Sequence, residues 1–99
     1  MARFAWDADK AAATLRKHGV AFEDAARVFG DPWHAIRRDS HRAEERWQTI
    51  GMPSSAYPVV LLVVHTCRVS DEDDEEEIRI ISARRATPRE RRADDAGQS

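Results

Sequence analysis

His65, Glu45, Arg46, Arg68 and Arg84 are residues of the types that cleave RNA without a metal, and they stand in or beside stretches that read as strands. In that chemistry the substrate 2′-hydroxyl is the nucleophile. The protein supplies a base for its proton, an acid for the leaving oxygen, and cations for the charge that grows at phosphorus. Other chemistries lack their parts. The four glycines are scattered, so no glycine-rich phosphate loop exists. No Cys/His pattern has zinc spacing, and His34 and His41 have no neighbouring ligands. The acidic run Asp71–Glu77 lacks the glycine of a calcium loop, and no Gly-x-Ser-x-Gly nucleophile turn is present. No cofactor is expected. The same residues have plainer uses. His65 can be a hydrogen-bonded core histidine, and Arg79, Arg84 and Arg85 can guard a sheet edge. Trp6, Trp33 and Trp47 suit a core or a partner surface, and Cys67 suits a small buried hydrophobe. The inventory alone leaves both readings open.

The elements that must position these residues follow from local pattern. Arg3–Trp6 suits a first strand. Asp7 is a good N-cap for an alanine-rich helix over Ala8–His18, which Gly19 ends as a left-handed cap. Phe22, Ala25, Ala26 and Phe29 have helical spacing, and Gly30-Asp31-Pro32 breaks that second helix. Trp33–Arg38 is a weak strand and Arg46–Gly51 a better one. Met52–Pro58 is turn-rich. Val59–Val69 is β-branched and apolar on both faces at first, which suits the sheet centre. Asp71–Glu77 reads as a hairpin loop and Ile78–Ala83 as the next strand. Thr87, Pro88 and Glu90 form a capping box for a last short helix. The expected fold is α+β: an N-terminal strand and a two-helix hairpin packed on an antiparallel sheet of about four to five strands, with a short C-terminal helix. One domain over 1–92 and a flexible tail over 93–99 are expected. Simple alternation puts Arg84 on the face of Ile78 and Ile80, and Arg79 on the opposite one.

Charge divides the chain unevenly. The net charge of −2 includes the seven carboxylates of Asp71–Glu77, so the remainder is basic. Ile78–Arg92 carries six arginines against Glu90 alone, a composition that can grip phosphate through fork-shaped donors. The single cysteine excludes an internal disulfide. No signal peptide is evident, and the longest apolar run, Val59–Val64, is too short for a bilayer. A soluble, cytoplasmic protein with no membrane partner is expected.

Several segments taken in order resemble the BrnT toxin family. They are Phe4-Ala5-Trp6-Asp7; Lys10-Ala11 through Lys17-His18-Gly19-Val20; Phe22-Glu23-Asp24-Ala25 to Val28-Phe29-x-Asp31-Pro32; Glu45-Arg46-Trp47-x-Thr49-Ile50-Gly51; Val63-Val64-His65-Thr66 with Arg68; and Ile78-Arg79-Ile80-Ile81-Ser82-Ala83-Arg84-Arg85 with Arg89-Glu90. The resemblance spans roughly residues 4 to 92. It implies a RelE-like fold and a metal-independent endoribonuclease that inhibits translation. It also implies a ribbon–helix–helix, BrnA-like antitoxin, through which alone operator DNA would be bound. On it, His65, Arg68, Arg84 and Glu45 are the expected catalytic residues, and Lys17, Arg46, Arg79 and Arg89 the expected RNA-binding ones. A non-catalytic antitoxin-binding module that modulates promoter binding is the alternative. Two departures stand out. Ala21 occupies the cap position before the second helix where relatives often carry Ser or Thr, and no tyrosine follows Tyr57 where relatives often end on one.

Overall fold

The computed structural model describes residues 2–40, 44–54, 56, 59–70, 72 and 74–97. His41, Tyr57, Pro58, Asp71 and Asp73, on which some sequence expectations fall, lie outside these. The elements run β1 (Ala2–Trp6), α1 (Ala8–His18), α2 (Phe22–Arg27) with a 3-10 turn at Val28–Gly30, β2 (Ala35–Arg38), β3 (Trp47–Gly51), β4 (Leu61–Val69), β5 (Glu76–Arg85) and α3 (Pro88–Gly97). The caps of α1 are those its sequence requires. Asp7 accepts from the amides of Asp9 and Lys10, and Gly19 turns left-handed at φ 69° while its amide bonds the Leu15 carbonyl. Ala21 heads α2 with no side-chain cap bond. Thr87 and Glu90 complete the capping box of α3, which continues past Arg92, where a tail was expected to begin.

The five strands form one sheet in the order β1-β5-β4-β3-β2. Strands β2 to β5 are antiparallel to their neighbours, as short connections demand, but β1 runs parallel to β5. The sheet is therefore mixed, not antiparallel. Short hairpin connections do not constrain β1, because two helices carry the chain away from it before the next strand begins. A second correction concerns β5, which starts at Glu76 rather than Ile78. Its first residues pair with β4 on one side and β1 on the other, setting Glu77 opposite both Arg68 and Arg3. Opposite charges across a ladder favour the pairing, so the last two carboxylates of the acidic run join the sheet.

One irregularity decides what the sheet displays. Between Val64 and His65 the β4–β5 register slips: Val64 faces Ser82, but His65 faces Ile80, leaving Ile81 as the extra residue. Directly opposed residues share a face. Leu61, Val63, His65 and Cys67 thus share one face with Ala83, Ile80 and Ile78, whereas Leu62, Val64, Thr66 and Arg68 share the other with Arg84, Ser82, Arg79 and Glu77. The alternation that separated Arg79 from Arg84 fails at this bulge, and the two arginines stand on the same face.

The first face is the helix side. Val20, Phe22, Ala25 and Val28 pack there with Leu61, Val63, Ile80 and Ala83 in the main core. Phe22 is almost wholly buried, with the Trp6 ring edge-on at 5.9 Å, and burial of such a side chain stabilises the fold by about 1.5–3 kcal/mol. On the second face α3 lies against β2 and β3, where Ile50 and Leu62 pair and are buried. A buried Asp31 ties the two ends of this frame. Its carboxylate accepts from the amides of Trp33 (2.9 Å) and Met52 (2.8 Å). A side chain at Gly51 would meet that carboxylate at 3.0 Å and Val28 at 3.1 Å, so the position takes glycine for close approach.

Candidate active site

The Arg68 end of the second face borders a cleft of about 410 Å³. β4 supplies Thr66 and Arg68, β5 supplies Glu77, Arg79 and Ile81, the first turn of α1 supplies Lys10, and Glu44 and Glu45 close it ahead of β3. Among the described residues, Lys10, Arg68 and Arg79 form no ion pair. Three cations without an ion pair thus stand beside the exposed carboxylate of Glu45 and that of Glu77, which lies across the ladder from Arg68. The arrangement suits a ligand that carries negative charge and presents a proton to a base.

The neighbouring arginines are engaged. Arg84 donates to Glu90 through both terminal nitrogens, at 2.8 and 2.9 Å, and Arg37 reaches the same carboxylate at 3.4 Å. The Arg84 bond holds the Glu90 carboxyl down at about 2, and the same bond raises the Arg84 guanidinium above its ordinary value. Arg46 donates to Glu44 at 2.8 Å.

His65 lies on the other side of the sheet. It is 1 % exposed, with the Phe29 ring edge-on at 4.8 Å. Its Nδ1 is 3.3 Å from the Thr66 carbonyl, a contact only an Nδ1–H can make as donor. Nε2 then accepts from the Thr49 hydroxyl at 2.7 Å. Burial lowers its pKa, which favours this neutral ring. The sheet stands between His65 and the cluster of Arg68, Arg79 and Arg84. Cys67, expected to be buried, is exposed instead. Its thiol donates to Glu76 at 3.0 Å, and partial loss of water around the sulfur, with that carboxylate beside it, raises it to about 11.

Of the expected site residues, then, the structure gathers Arg68, Arg79 and Glu45 at the cleft. It puts Arg84 and Arg46 on carboxylates at its margin. Lys17 and Arg89 are exposed on α1 and α3, outside the cleft lining. Lys10 was missed as a site residue. It sits seven residues before Lys17, two helical turns along the same stripe of α1, and only the packing of α1 on β5 shows where that stripe leads. Among the described residues no three His, Cys, Asp or Glu side chains stand close enough to hold a metal ion, and no helix is long and apolar enough to cross a membrane.

These features define a class: a small α+β domain that sets unpaired cations and a carboxylate around a cleft on the open face of its sheet. The family model of BrnT, the ribonuclease toxin of type II toxin–antitoxin systems, matches residues 6–90, and the chain belongs to that family. A toxin of this type has a protein antitoxin as its partner. No curated protein matches the chain.

Proposed function

We propose that the chain is a metal-independent endoribonuclease whose reaction takes place in the cleft lined by Lys10, Glu45, Arg68 and Arg79. The observation that carries this reading is the bulge at Val64/His65, which brings Arg79 onto the face of Arg68 with neither side chain paired. Glu45 takes the proton of the substrate 2′-hydroxyl. The 2′ oxygen bonds to phosphorus, the bond to the 5′ oxygen breaks, and the proton passes to that leaving oxygen. Arg68, Arg79 and Lys10 hold the charge that builds on the phosphoryl oxygens. Arg84 supports them from the Glu90 pair, and Lys17, Arg46 and Arg89 extend the cationic margin along which the backbone of the RNA runs. His65 lies beneath and takes no part in the reaction: bonded to Thr49, it ties β4 to β3.

The wider reading follows from family membership. Cleavage of RNA inhibits translation, the fold is RelE-like with α1 and α2 as a helical hairpin, and the antitoxin is a ribbon–helix–helix protein that contacts operator DNA for the pair. The direct test is RNA cleavage by the purified chain with and without excess chelator. A 2′,3′-cyclic phosphate product, full activity in chelator and inert DNA are expected, since DNA lacks the 2′-hydroxyl. Cleavage of DNA, or dependence on added metal, would overturn the mechanism.

A further inference from the structure

The cation cleft adjoins a second cavity, of about 510 Å³, on the helix side of the sheet. The ladder of β3 on β4 ends at the pair Trp47–His65, whereas β4 runs on to Val69. Beyond that pair no described strand lies against that edge of β4. The two spaces meet there, since Glu45 and Cys67 line both. They differ in character. Trp47, Ile36 and Phe29 give the second cavity apolar walls, with Trp47 half-buried and Ile36 57 % exposed. Among the described residues no lysine or arginine lines it, and its uncommitted polar groups are mainly acceptors. Glu45 and Glu76 present carboxylates, and Glu76 takes one bond from Cys67 with capacity for more. The Nδ1–H of His34 donates to the Asp31 carbonyl at 2.7 Å, which in the neutral ring leaves Nε2 to accept.

We infer that this cavity takes the base of the nucleotide whose 2′-hydroxyl attacks, and that it selects guanine. The inference rests on the reaction proposed above and names the substrate of that same site. A nucleotide joins an anion to a flat ring with apolar faces and a polar edge, and the two spaces offer those environments side by side. The second cavity is of the size that small-molecule sites have. With the scissile phosphate on Lys10, Arg68 and Arg79, the 2′-hydroxyl lies at Glu45. The base of that ribose then falls beyond Glu45, against Trp47 and Ile36, where an aromatic wall can stack it. Charge sets the direction: the carboxylates of the second cavity repel a phosphate, and the cations of the cleft hold it. The acceptors also choose the base. Guanine has adjacent N–H groups at N1 and N2, adenine and cytosine a single amino group, and uracil a lone N–H between two carbonyls. A carboxylate that accepts from both guanine nitrogens makes a bidentate pair the other bases cannot match. Glu76 is the carboxylate left for this, because Glu45 serves the 2′-hydroxyl.

The test separates base from phosphate. NMR spectra of the whole chain are followed during titration with guanosine 3′-monophosphate, with its adenosine, cytidine and uridine counterparts, and with inorganic phosphate. The guanosine nucleotide is expected to move the signals of Trp47 and Ile36 together with those of Arg68 and Arg79, and to bind at least about 10-fold more tightly than the uridine nucleotide. Inorganic phosphate is expected to move Arg68 and Arg79 alone. Glu76→Gln is expected to cut the preference for guanine over adenine about 10-fold. Trp47→Leu is expected to weaken both purine nucleotides about 10-fold and to leave phosphate affinity unchanged, with circular dichroism checking the fold of each variant. In cleavage, DNA oligonucleotides that carry a single ribonucleotide are expected to be cut best when it is guanosine, leaving a guanosine 2′,3′-cyclic phosphate end. A guanosine nucleotide that moves Arg68 and Arg79 but not Trp47 would overturn the inference, as would equal affinity for all four nucleotides. So would signals of Trp47 and Ile36 that shift with protein concentration and ignore nucleotide, which would assign the cavity to a second copy of the chain. Guanosine nucleotide bound across both spaces, with no RNA cleaved, would refute the reaction and leave the base site standing.

Discussion

Replacing Thr49 by valine separates the two roles open to His65. Thr49 is wholly buried, and its hydroxyl is the hydrogen-bond donor to Nε2 at 2.7 Å. Valine keeps the shape and removes the donor, so a buried acceptor loses its partner. That penalty is about 1–3 kcal/mol. For a domain of this size each kcal/mol moves Tm by about 4–8 °C, so a fall of about 5–20 °C is expected by differential scanning calorimetry. Adding His65→Leu to Thr49→Val removes the unpaired nitrogen and is expected to recover part of the loss, giving a coupling between the two sites. RNA cleavage by the folded Thr49→Val protein, well below its Tm, is expected to stay within a few-fold of wild type. The pH dependence supplies a third readout. The folded pKa of His65 lies below its unfolded value. Below about pH 6.5 the unfolded chain takes up a proton that the folded ring resists, so stability falls as pH drops through that range. The reasoning is refuted if Thr49→Val leaves Tm unchanged, or if the variant folds with native stability and has lost cleavage.

Arg79→Ala is expected to lower the cleavage rate by about 10²–10³-fold, as loss of a preorganised cation does, with Tm almost unchanged; single-turnover kinetics on a short RNA checks this. Arg84→Ala, which frees Glu90, is expected to loosen α3 as well, visible as faster amide exchange over Pro88–Gly97 than Arg79→Ala produces. Glu90 has a folded pKa of about 2 against an ordinary 4.5, so its contribution to stability is present above about pH 4.5 and disappears as the pH falls toward 2; acid titration of Glu90→Gln should lack that component. Gly51→Ala must displace the Asp31 carboxylate and Val28, and is expected to cost about 1–3 kcal/mol by urea denaturation.

What the sequence disclosed follows the range of the forces involved. The caps of α1, the capping box of α3 and the run of β4 depend on neighbours a few residues away, and Asp7, Gly19, Thr87 and Glu90 announce them. The parallel pairing of β1 with β5 joins residues more than seventy positions apart, and no local pattern in Phe4-Ala5-Trp6 distinguishes it from an antiparallel edge. The acidic run reads as a loop because seven like charges repel, yet Arg68 and Arg3 lie across from Glu77 and carry the strand two residues further. The family pattern named Arg68, Arg79 and Glu45 among its expected site residues, and the fold sets all three along one cleft. It did not reveal which arginines are free, because the Arg84–Glu90 bond depends on where α3 returns to the sheet.

The bulge is the feature on which the site turns, and its physical cause is visible in the core. Ile78, Ile80 and Ala83 are all buried on the helix side, but a regular strand cannot send both an even pair and an odd residue to one face. Ile81 absorbs the mismatch as the extra residue at the register shift. The core is thus filled from both halves of β5, and the same shift turns Arg79 and Arg84 together onto the opposite face. Packing and charge display are set by one local irregularity, and Arg79 stands on an inner strand held by β1, β4 and both N-terminal helices. A rigid seat matters for this chemistry: a cation that stabilises a short-lived charge contributes most when it does not have to reorganise. The arginines at the margin, tied to Glu90 and Glu44, keep the surrounding surface in place, while Arg68, Arg79 and Lys10 remain open to a phosphate.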